Sequence, residues 1–591
     1  MIARKHLLKL FGAALFLLYF LWFCFPGEYV MIANMDQHLF YTTTDHFMSF
    51  TSRPGGILEY AGQFLTQFYR FRMAGAMVIA LLITSGFFVT ARLIKTIPGQ
   101  KGIMVFAIMS SVLLAGMHNY YPHQVHHSLG FILVILLSGL IPVHPGKRRL
   151  FLVAAIPVIY YILGGYVWFF SAIMLARFIK ADLKNSLEIV LLNLVYPAVI
   201  VFIATRFFFL DQPAELFLDP LPLDLSYPLP GLSLIFMIWI LSALIFNRIY
   251  GEKISSQGSP KKTGPYLKTA ISSVFLIAGT FLIFLFTYNK KNREFFTIEK
   301  LAVQENWDDL LGFVSRHPSS NLFGTYYTNL ALQHKDMLCS SLFNYPQVFS
   351  TDGLCFRWDS KPEILRRGSD FFWSINFVNE AHHWSFESMV SEGFTRRNLL
   401  MLIRTELIRG NYAVVEKYIR LLRKSLFNRK LAAHYSQFIE KPEKIRKDPE
   451  LGPGSGCDFN HDFFTDGADL EKNLQSLILN DPSNRPAFDY FMALLMIEKR
   501  VDDIAGYLPD YVSLHGSTLP RLLDESLLLY HLLNPDASGP DIQVSRQTIA
   551  RFEDYARILR QSRDQNEAAR LLFPKYGNTF WFHMNFAGTK K

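Results

Sequence analysis

Long, almost charge-free apolar runs fill the first half of the chain and give way to charged, water-compatible sequence in the second. That asymmetry narrows the choice of fold more than any other feature, because a helix needs about 20 largely apolar residues to cross a bilayer. Nine stretches are candidates: Leu10–Pro26, Met73–Ala91, Gly102–Met117, Leu129–Val143, Leu150–Leu163, Tyr166–Ala176, Ile189–Phe208, Leu232–Phe246 and Thr269–Thr287. A chain of 591 residues exceeds one ordinary domain. The expected division is a transmembrane part, residues 1–288, followed by an external water-soluble part, residues 289–591. The expected fold class is all-α: a polytopic bundle of about nine spans, then a soluble α-helical repeat domain.

Charge decides the one difficult segment, Leu150–Ala176, which reads either as one long span or as two short ones hinged at Gly164-Gly165. With two spans, the clusters Arg4/Lys5/Lys9, Lys95/Lys101, Lys147/Arg148/Arg149, Arg177/Lys180/Lys184 and Lys253/Lys261/Lys262/Lys268 all fall on one side. The acidic groups Asp36/Asp45 and Asp211/Glu215/Asp219/Asp224 fall on the other. Basic residues concentrate on the cytoplasmic side of membrane proteins, so the N-terminus is expected inside and the C-terminal part outside. The formal charge of +10 belongs to these clusters rather than to one basic face, and no nucleic-acid partner is implied. No small-x-small cleavage site follows the first apolar run, which is therefore read as retained.

Between the first two spans lies a polar loop, residues 27–72, carrying Asp36, Asp45, Arg53, Glu59 and a Pro54-Gly55-Gly56 break. Its second half, Gly56–Arg70, puts Ile57, Leu58, Ala61, Phe64, Leu65 and Phe68 on one helical face, as expected of a helix lying on a membrane surface. Ionisable groups are nearly missing from the spans, Arg206 being the exception. Coupled transporters and pumps carry such groups inside the bilayer, so chemistry at the outer surface fits better.

In the second half, Glu305-Asn306-Trp307, Gly410-Asn411-Tyr412 and Lys499-Arg500-Val501 each place a large apolar residue two positions after a turn. The spacing resembles the helix–helix turn of tetratricopeptide repeats, in a degenerate form. The resemblance implies a stacked solenoid with a concave face for a peptide, glycan or protein. Pro and Gly interrupt the array near residues 440–456, read as an exposed loop, and the aromatic Tyr576–Phe586 is expected to dock as a cap.

The loop, the interfacial helix, the short paired spans and the external domain together resemble the layout of membrane-embedded sugar transferases of the GT-C type. That resemblance implies a polyprenyl-phosphate-linked sugar as donor, Asp36 as base and Asp45 second to it. Arg53 would contact phosphate, since its guanidinium forms a bidentate fork to such oxygens, with Glu59 and Arg206 as further substrate-side groups. The same residues serve equally well as helix caps and loop solvation. No DxD is present, leaving a divalent metal as an open alternative. His123 and His127, at i and i+4 in a segment of four histidines, could share a metal or act as interfacial anchors. Asp458–Asp469 follows a calcium-loop spacing with Phe463 where Gly is needed. Cys339 and Cys355 are read either as a disulfide or as two buried thiols. The helix opening Asn379-Glu380-Ala381-His382-His383-Trp384 is read as structural or as lining the concave face.

Taken whole, Met35–Phe40, Ser52–Tyr60 and Phe64–Phe68, with the spans and helical tail, resemble a bacterial family of unknown function. The resemblance implies an inner-membrane protein with a periplasmic helical domain. Two functions follow as expectations. One is a transferase acting on a lipid-linked sugar at the outer face, which the loop favours. The other is a non-catalytic anchor whose helical domain binds cell-envelope proteins, which the missing DxD favours.

Overall fold

The computed structural model describes residues 2–35, 37–97, 102–178, 183–209, 212–223, 230–254, 274, 278–456, 469–536 and 539–587. The architecture is all-α, with no β-strand among those residues. Two compact units divide the chain, Met1–Arg293 and Glu294–Lys591.

The first unit begins with α1 (Ile2–Cys24), which breaks at Phe25-Pro26-Gly27 and continues as α2 (Glu28–Asn34), bent by 65°. The loop then forms α3 (Thr44–Thr51), capped by the Thr43 hydroxyl that accepts from the His46 N–H, and α4 (Gly56–Thr66). Next come α5 (Arg72–Lys95), α6 (Ile103–His118), α7 (Val125–Leu140), α8 (Pro145–Leu163) and α9 (Tyr166–Phe178). Helix α10 (Leu183–Val190) runs through a π-helical turn into α11 (Tyr196–Ile203) and a second such turn, Ala204–Phe208. The unit closes with α12 (Pro213–Leu218), α13 (Pro230–Ile254) and the short α14 (Ala278–Thr287). Helix α5 is the centre, packing on α1, α6 and α7.

Nine full-length spans are not what forms. Among the described residues three helices, Arg72–Lys95, Ser186–Phe208 and Gly231–Ile249, are long and apolar enough to cross a membrane, and the bent pair Leu8–Cys24 with Glu28–Asn34 makes a fourth if counted as one. Among the described residues the expected spans at Gly102–Met117, Leu129–Val143 and Tyr166–Ala176 fall in helices of 10–17 residues. At 1.5 Å per residue such helices reach about 25 Å at most, short of a hydrocarbon core of roughly 30 Å. The run at Leu150–Leu163 belongs to α8, which begins at Pro145, carries Lys147, Arg148 and Arg149 in its first turns and contains Pro157. The chain does break at Gly164-Gly165 as expected, Gly164 having φ +59°. Of the last expected span, most of residues 269–277 lies outside the described residues.

In the second unit α15 (Lys290–Val303), α16 (Trp307–Arg316), α17 (Leu322–His334) and the single turn α18 (Leu338–Ser341) lead through a loop to α19 (Pro362–Ser374) and α20 (Val378–Glu392). They are followed by α21 (Arg396–Ile408), α22 (Tyr412–Lys424), α23 (Arg429–Glu440), α24 (Leu470–Asn480) and α25 (Arg485–Ile497). The series ends with α26 (Val501–His515), α27 (Arg521–Leu533), α28 (Arg546–Gln561), α29 (Gln565–Tyr576) and α30 (Phe580–Phe586).

Five helix ends share one geometry. Glu305, Asp336, Asn376, Gly410 and Lys499 have φ of 55°, 53°, 58°, 76° and 64°. The next residue in each case donates its N–H to the carbonyl five positions back: Asn306 to Leu301, Met337 to Leu332, Phe377 to Phe372, Asn411 to Glu406 and Arg500 to Leu495, at 2.7–3.0 Å. This is the Schellman closure, which satisfies an orphan carbonyl through a left-handed residue. A large apolar residue, Trp307, Leu338, Val378, Tyr412 or Val501, opens the following helix.

Neighbours in sequence pack on each other, but the unit is not an open stack. Helix α18 packs on α25 and α27, and one core runs from Ile298 to Phe580. Phe343 stacks on Phe580 and on His583, which ties the first third of the unit to its last helix. The aromatic C-terminal stretch does dock as a cap, with Tyr576, Phe580 and Trp581 buried. The segment 440–456 is not simply an exposed loop. It forms two 3₁₀ turns, buries Ile445 and Leu451, and holds Glu450 against Arg404 and Tyr435.

Candidate functional site

Of the residues singled out in the first loop, Asp36 lies outside the described residues. Asp45 sits exposed in the first turn of α3, with Thr43 rather than Asp45 as the cap. Arg53 and Glu59 are brought together as an ion pair, the guanidinium donating to Glu59 Oε2. Burial pushes the Glu59 carboxyl up, Arg53 opposes this, and Asp219 adds to it, the net shift being upward. Arg206 is exposed in the π-helical turn at the end of its helix.

The surroundings explain why the pair is fixed. Three polypeptide segments meet beside it at near-contact backbone distances. The Gly55 N–H donates to Tyr161 O at 3.0 Å and the Gly165 N–H to Asp219 O at 2.7 Å. A Cβ on Gly165 would lie 2.0 Å from Leu218 O, and one on Gly55 2.5 Å from Pro220 Cδ, so only glycine fits. Tyr160, Tyr161 and Trp168 donate to Leu216 O, Thr51 O and Phe217 O at 2.8–3.0 Å. Helix α4 is correspondingly not a free interfacial helix: it packs on α3, α7 and α8, and a Cβ on Gly62 would meet His126 at 2.5 Å.

Of the histidines in the second loop, His118, His123 and His126 are buried and His127 is half-buried. His123 and His127 have ring centroids 5.6 Å apart, yet His123 Nε2 pairs with Ser128 Oγ at 2.9 Å and His127 Nδ1 with Pro220 O at 3.0 Å. Among the described residues no group of three or more His, Cys, Asp or Glu side chains is arranged to hold a metal. Asn119, absent from the sequence expectations, is the buried polar junction here. Its amide oxygen accepts from Trp22 Nε1 at 3.0 Å, its carbonyl accepts from Tyr29, and its amide nitrogen donates to Thr287 Oγ1 at 3.1 Å. The space between the two loops, lined by Gln37, His38, Gln63, Gln67, His123 and His126 among others, is about 20 Å³. That holds roughly one water molecule.

The second unit contains a cavity of a different order, about 530 Å³. It opens between the loop Thr351–Trp358, the first turns of α20 and α24, and the end of α25. Phe356, Trp358, Phe372 and Trp384 supply apolar and aromatic surface, and Asp352, Glu380, Asp469, Glu471 and Glu498 supply carboxylates. Trp358 is 47% exposed while the other three rings are buried. Glu380, His383 and Trp384 belong to the helix start that the sequence marks as structural or lining, and here they line the cavity. Cys355 also lines it, its thiol directed to Phe356 O at 3.5 Å. Cys339 and Cys355 are both free; Cys339 instead meets Asp489. Of the calcium-like segment only Asp469 is described, and it caps α24 by accepting from the Lys472 N–H at 3.0 Å.

The family described as "Family of unknown function (DUF6057)" matches residues 3–587. No curated protein and no solved structure matches the chain.

Proposed function

Because the chain belongs to DUF6057, a family of unknown function, its activity has to be read from its own geometry, and we propose that it is a membrane-anchored binding protein whose helical second unit holds the ligand. The observation that carries the reading is the contrast in room: about 530 Å³ among aromatic and acidic side chains in the second unit, about 20 Å³ under the first loop. Small-molecule sites occupy roughly 300–1,000 Å³. The small space beside Gln37 and His123 has room for a water rather than a sugar-phosphate, and Arg53 already donates to Glu59, which supports the binding reading over the transferase.

Anchoring in a bilayer is supported by the outer surface of the first unit. Phe202, Phe208 and Phe286 are 65%, 75% and 81% exposed, on apolar helices that satisfy their own backbone polar groups, as a lipid-facing surface allows. The basic residues Arg4, Lys5 and Lys9 before the first apolar run favour a bacterial inner membrane with the N-terminus inside, and an odd number of crossings puts the second unit in the periplasm, where an envelope protein is the natural ligand.

The test compares cells carrying Asp36→Ala, Arg53→Ala, Trp358→Ala or a deletion of Glu299–Lys591, at equal membrane abundance. The binding reading expects Trp358→Ala and the deletion to reproduce the phenotype of cells lacking the protein, and the loop variants to keep a wild-type glycan and lipid-linked-sugar profile. An accumulated lipid-linked sugar in Asp36→Ala overturns it in favour of a transferase.

A further inference from the structure

We infer that the cleft of the second unit recognises an organic cation, an alkylammonium or guanidinium group, with Trp358 as its aromatic platform and the surrounding carboxylates as its counter-charge. This rests on the binding reading above and adds the chemistry of the ligand.

Charge balance is the first argument. Five carboxylates line the cleft, Asp352, Glu380, Asp469, Glu471 and Glu498, against the two basic side chains Arg357 and His383. Each basic group is already paired: Arg357 with Asp352 at 2.9 Å, His383 with Glu380 at 3.4 Å. Arg500, behind the wall, draws on Glu471 and Glu498 at 2.6 and 3.4 Å. A net negative charge remains on the lining, and an anionic ligand would be repelled. The His383 imidazole reports the same field, its hydrogen bond to Glu380 raising its basicity against the opposing effect of burial.

Geometry separates an organic cation from a metal ion. No three carboxylate or imidazole groups among the described residues converge on one point. The acidic groups are instead spread around a volume of about 530 Å³, which suits a cation several atoms long and not a single ion. The aromatic surface supplies the remainder. An indole face is the best side-chain partner for an ammonium or guanidinium group, and Trp358, about half exposed, lines the cleft together with the buried Phe356, Phe372 and Trp384. The apolar floor accommodates the methylenes of the ligand while its charged end meets the carboxylates.

Two sources present this chemistry, a free polyamine and the Lys or Arg of a peptide, and the experiment separates them. The full chain in nanodiscs is titrated calorimetrically with spermidine, with the peptide acetyl-Ala-Lys-Ala-Lys-Ala-amide, with the same peptide acetylated on both lysines, and with maltotriose. The cation inference expects saturable binding of spermidine or the lysine peptide, at least tenfold weaker in Trp358→Ala and in Asp469→Asn/Glu498→Gln, and weaker at raised salt. Tighter binding of the peptide identifies a protein source, and tighter binding of spermidine a free amine. All three substituted side chains lie at the surface, and a melting temperature unchanged from wild type shows the fold is kept. Equal binding of the acetylated peptide, or maltotriose binding that Trp358→Ala abolishes, overturns the cation inference and leaves the binding reading standing. Absence of binding by all four probes overturns the inference. If Trp358→Ala is then also silent in cells, the binding reading falls with it.

Discussion

The main-chain N–H of Phe580 donates to the carboxylate of Glu525 at 2.7 Å, at a position with no solvent exposure, and this bond fastens the last helix to the middle of the second unit. The Trp581 indole donates to Glu525 O at 3.1 Å, and Arg551 and Arg521 approach the same carboxylate at 3.3 and 3.6 Å. Burial nevertheless pushes the Glu525 carboxyl up to about 7, against the pull of Arg521 and Arg551. Since the unfolded chain loses that proton near 4.5, the folded state binds more protons between the two values. Stability contributed by Glu525 is therefore full below about pH 4.5 and falls as pH rises to about 7, by on the order of 3 kcal/mol. Thermal melts of the wild type and Glu525→Gln across pH 4.5–8 check this: the variant loses that slope, and a wild-type slope of the opposite sign assigned to this residue would refute it.

Glu299 is the opposite case. Burial alone would raise its carboxyl, but Arg367, with bonds of 2.7 and 3.0 Å, and Arg397, at 3.3 Å, hold it below the usual range. Its contribution is present above the unfolded carboxylate value and is lost as pH falls through the folded one. Glu299→Ala strands two buried guanidinium groups, one of which Asp370 still meets, and is expected to cost about 3–5 kcal/mol in urea unfolding of the second unit.

Gly165→Ala drives a methyl group onto Leu218 O at 2.0 Å, with backbone on both sides and no side chain to yield. A loss of at least about 2 kcal/mol is expected, read as a lower melting temperature of the first unit in detergent. Gly231→Ala is the control, because its Cβ meets nothing within 4 Å. A wild-type melt for Gly165→Ala would show that the three-segment junction is looser than described.

At Glu305 the left-handed backbone, φ 55°, carries an exposed side chain where glycine is at ease. Glu305→Gly is expected to stabilise the second unit by about 0.5–1 kcal/mol, measured as a rise in the urea midpoint.

The same turns show what the sequence could disclose. Glu305, Gly410 and Lys499 are followed by polar Asn306, Asn411 and Arg500 before the large apolar residue, so the turn stands out. Asp336 and Asn376 have the same backbone but are followed by Met337 and Phe377, and the apolar run hides them. Hydropathy marked apolar segments well, because composition is local. It overcounted spans because it does not register where a helix stops, as at His118. The hinge at Gly164-Gly165 was legible from the glycines, whereas its partner, Leu218-Asp219-Pro220, left no periodic or compositional trace. In the sequence the cleft showed only as separate fragments, Glu380–Trp384, Cys355 and Asp469, each read for another role, because its walls come from stretches near residues 351–358, 469–473 and 494–498 that only the fold brings together.

The stacking of Phe343 on Phe580 sets an order on the making of this protein. A ribosome delivers Phe343 long before Phe580, and Asn344 must likewise wait for Asn578, to which it is joined at 2.9 Å. Until α30 has emerged, the apolar surface around Phe343 stays uncovered, and the second unit depends during that interval on whatever shields nascent hydrophobic chains in its compartment. A premature stop in the last dozen residues would then remove little sequence but leave the unit in a form that cellular quality control treats as unfinished.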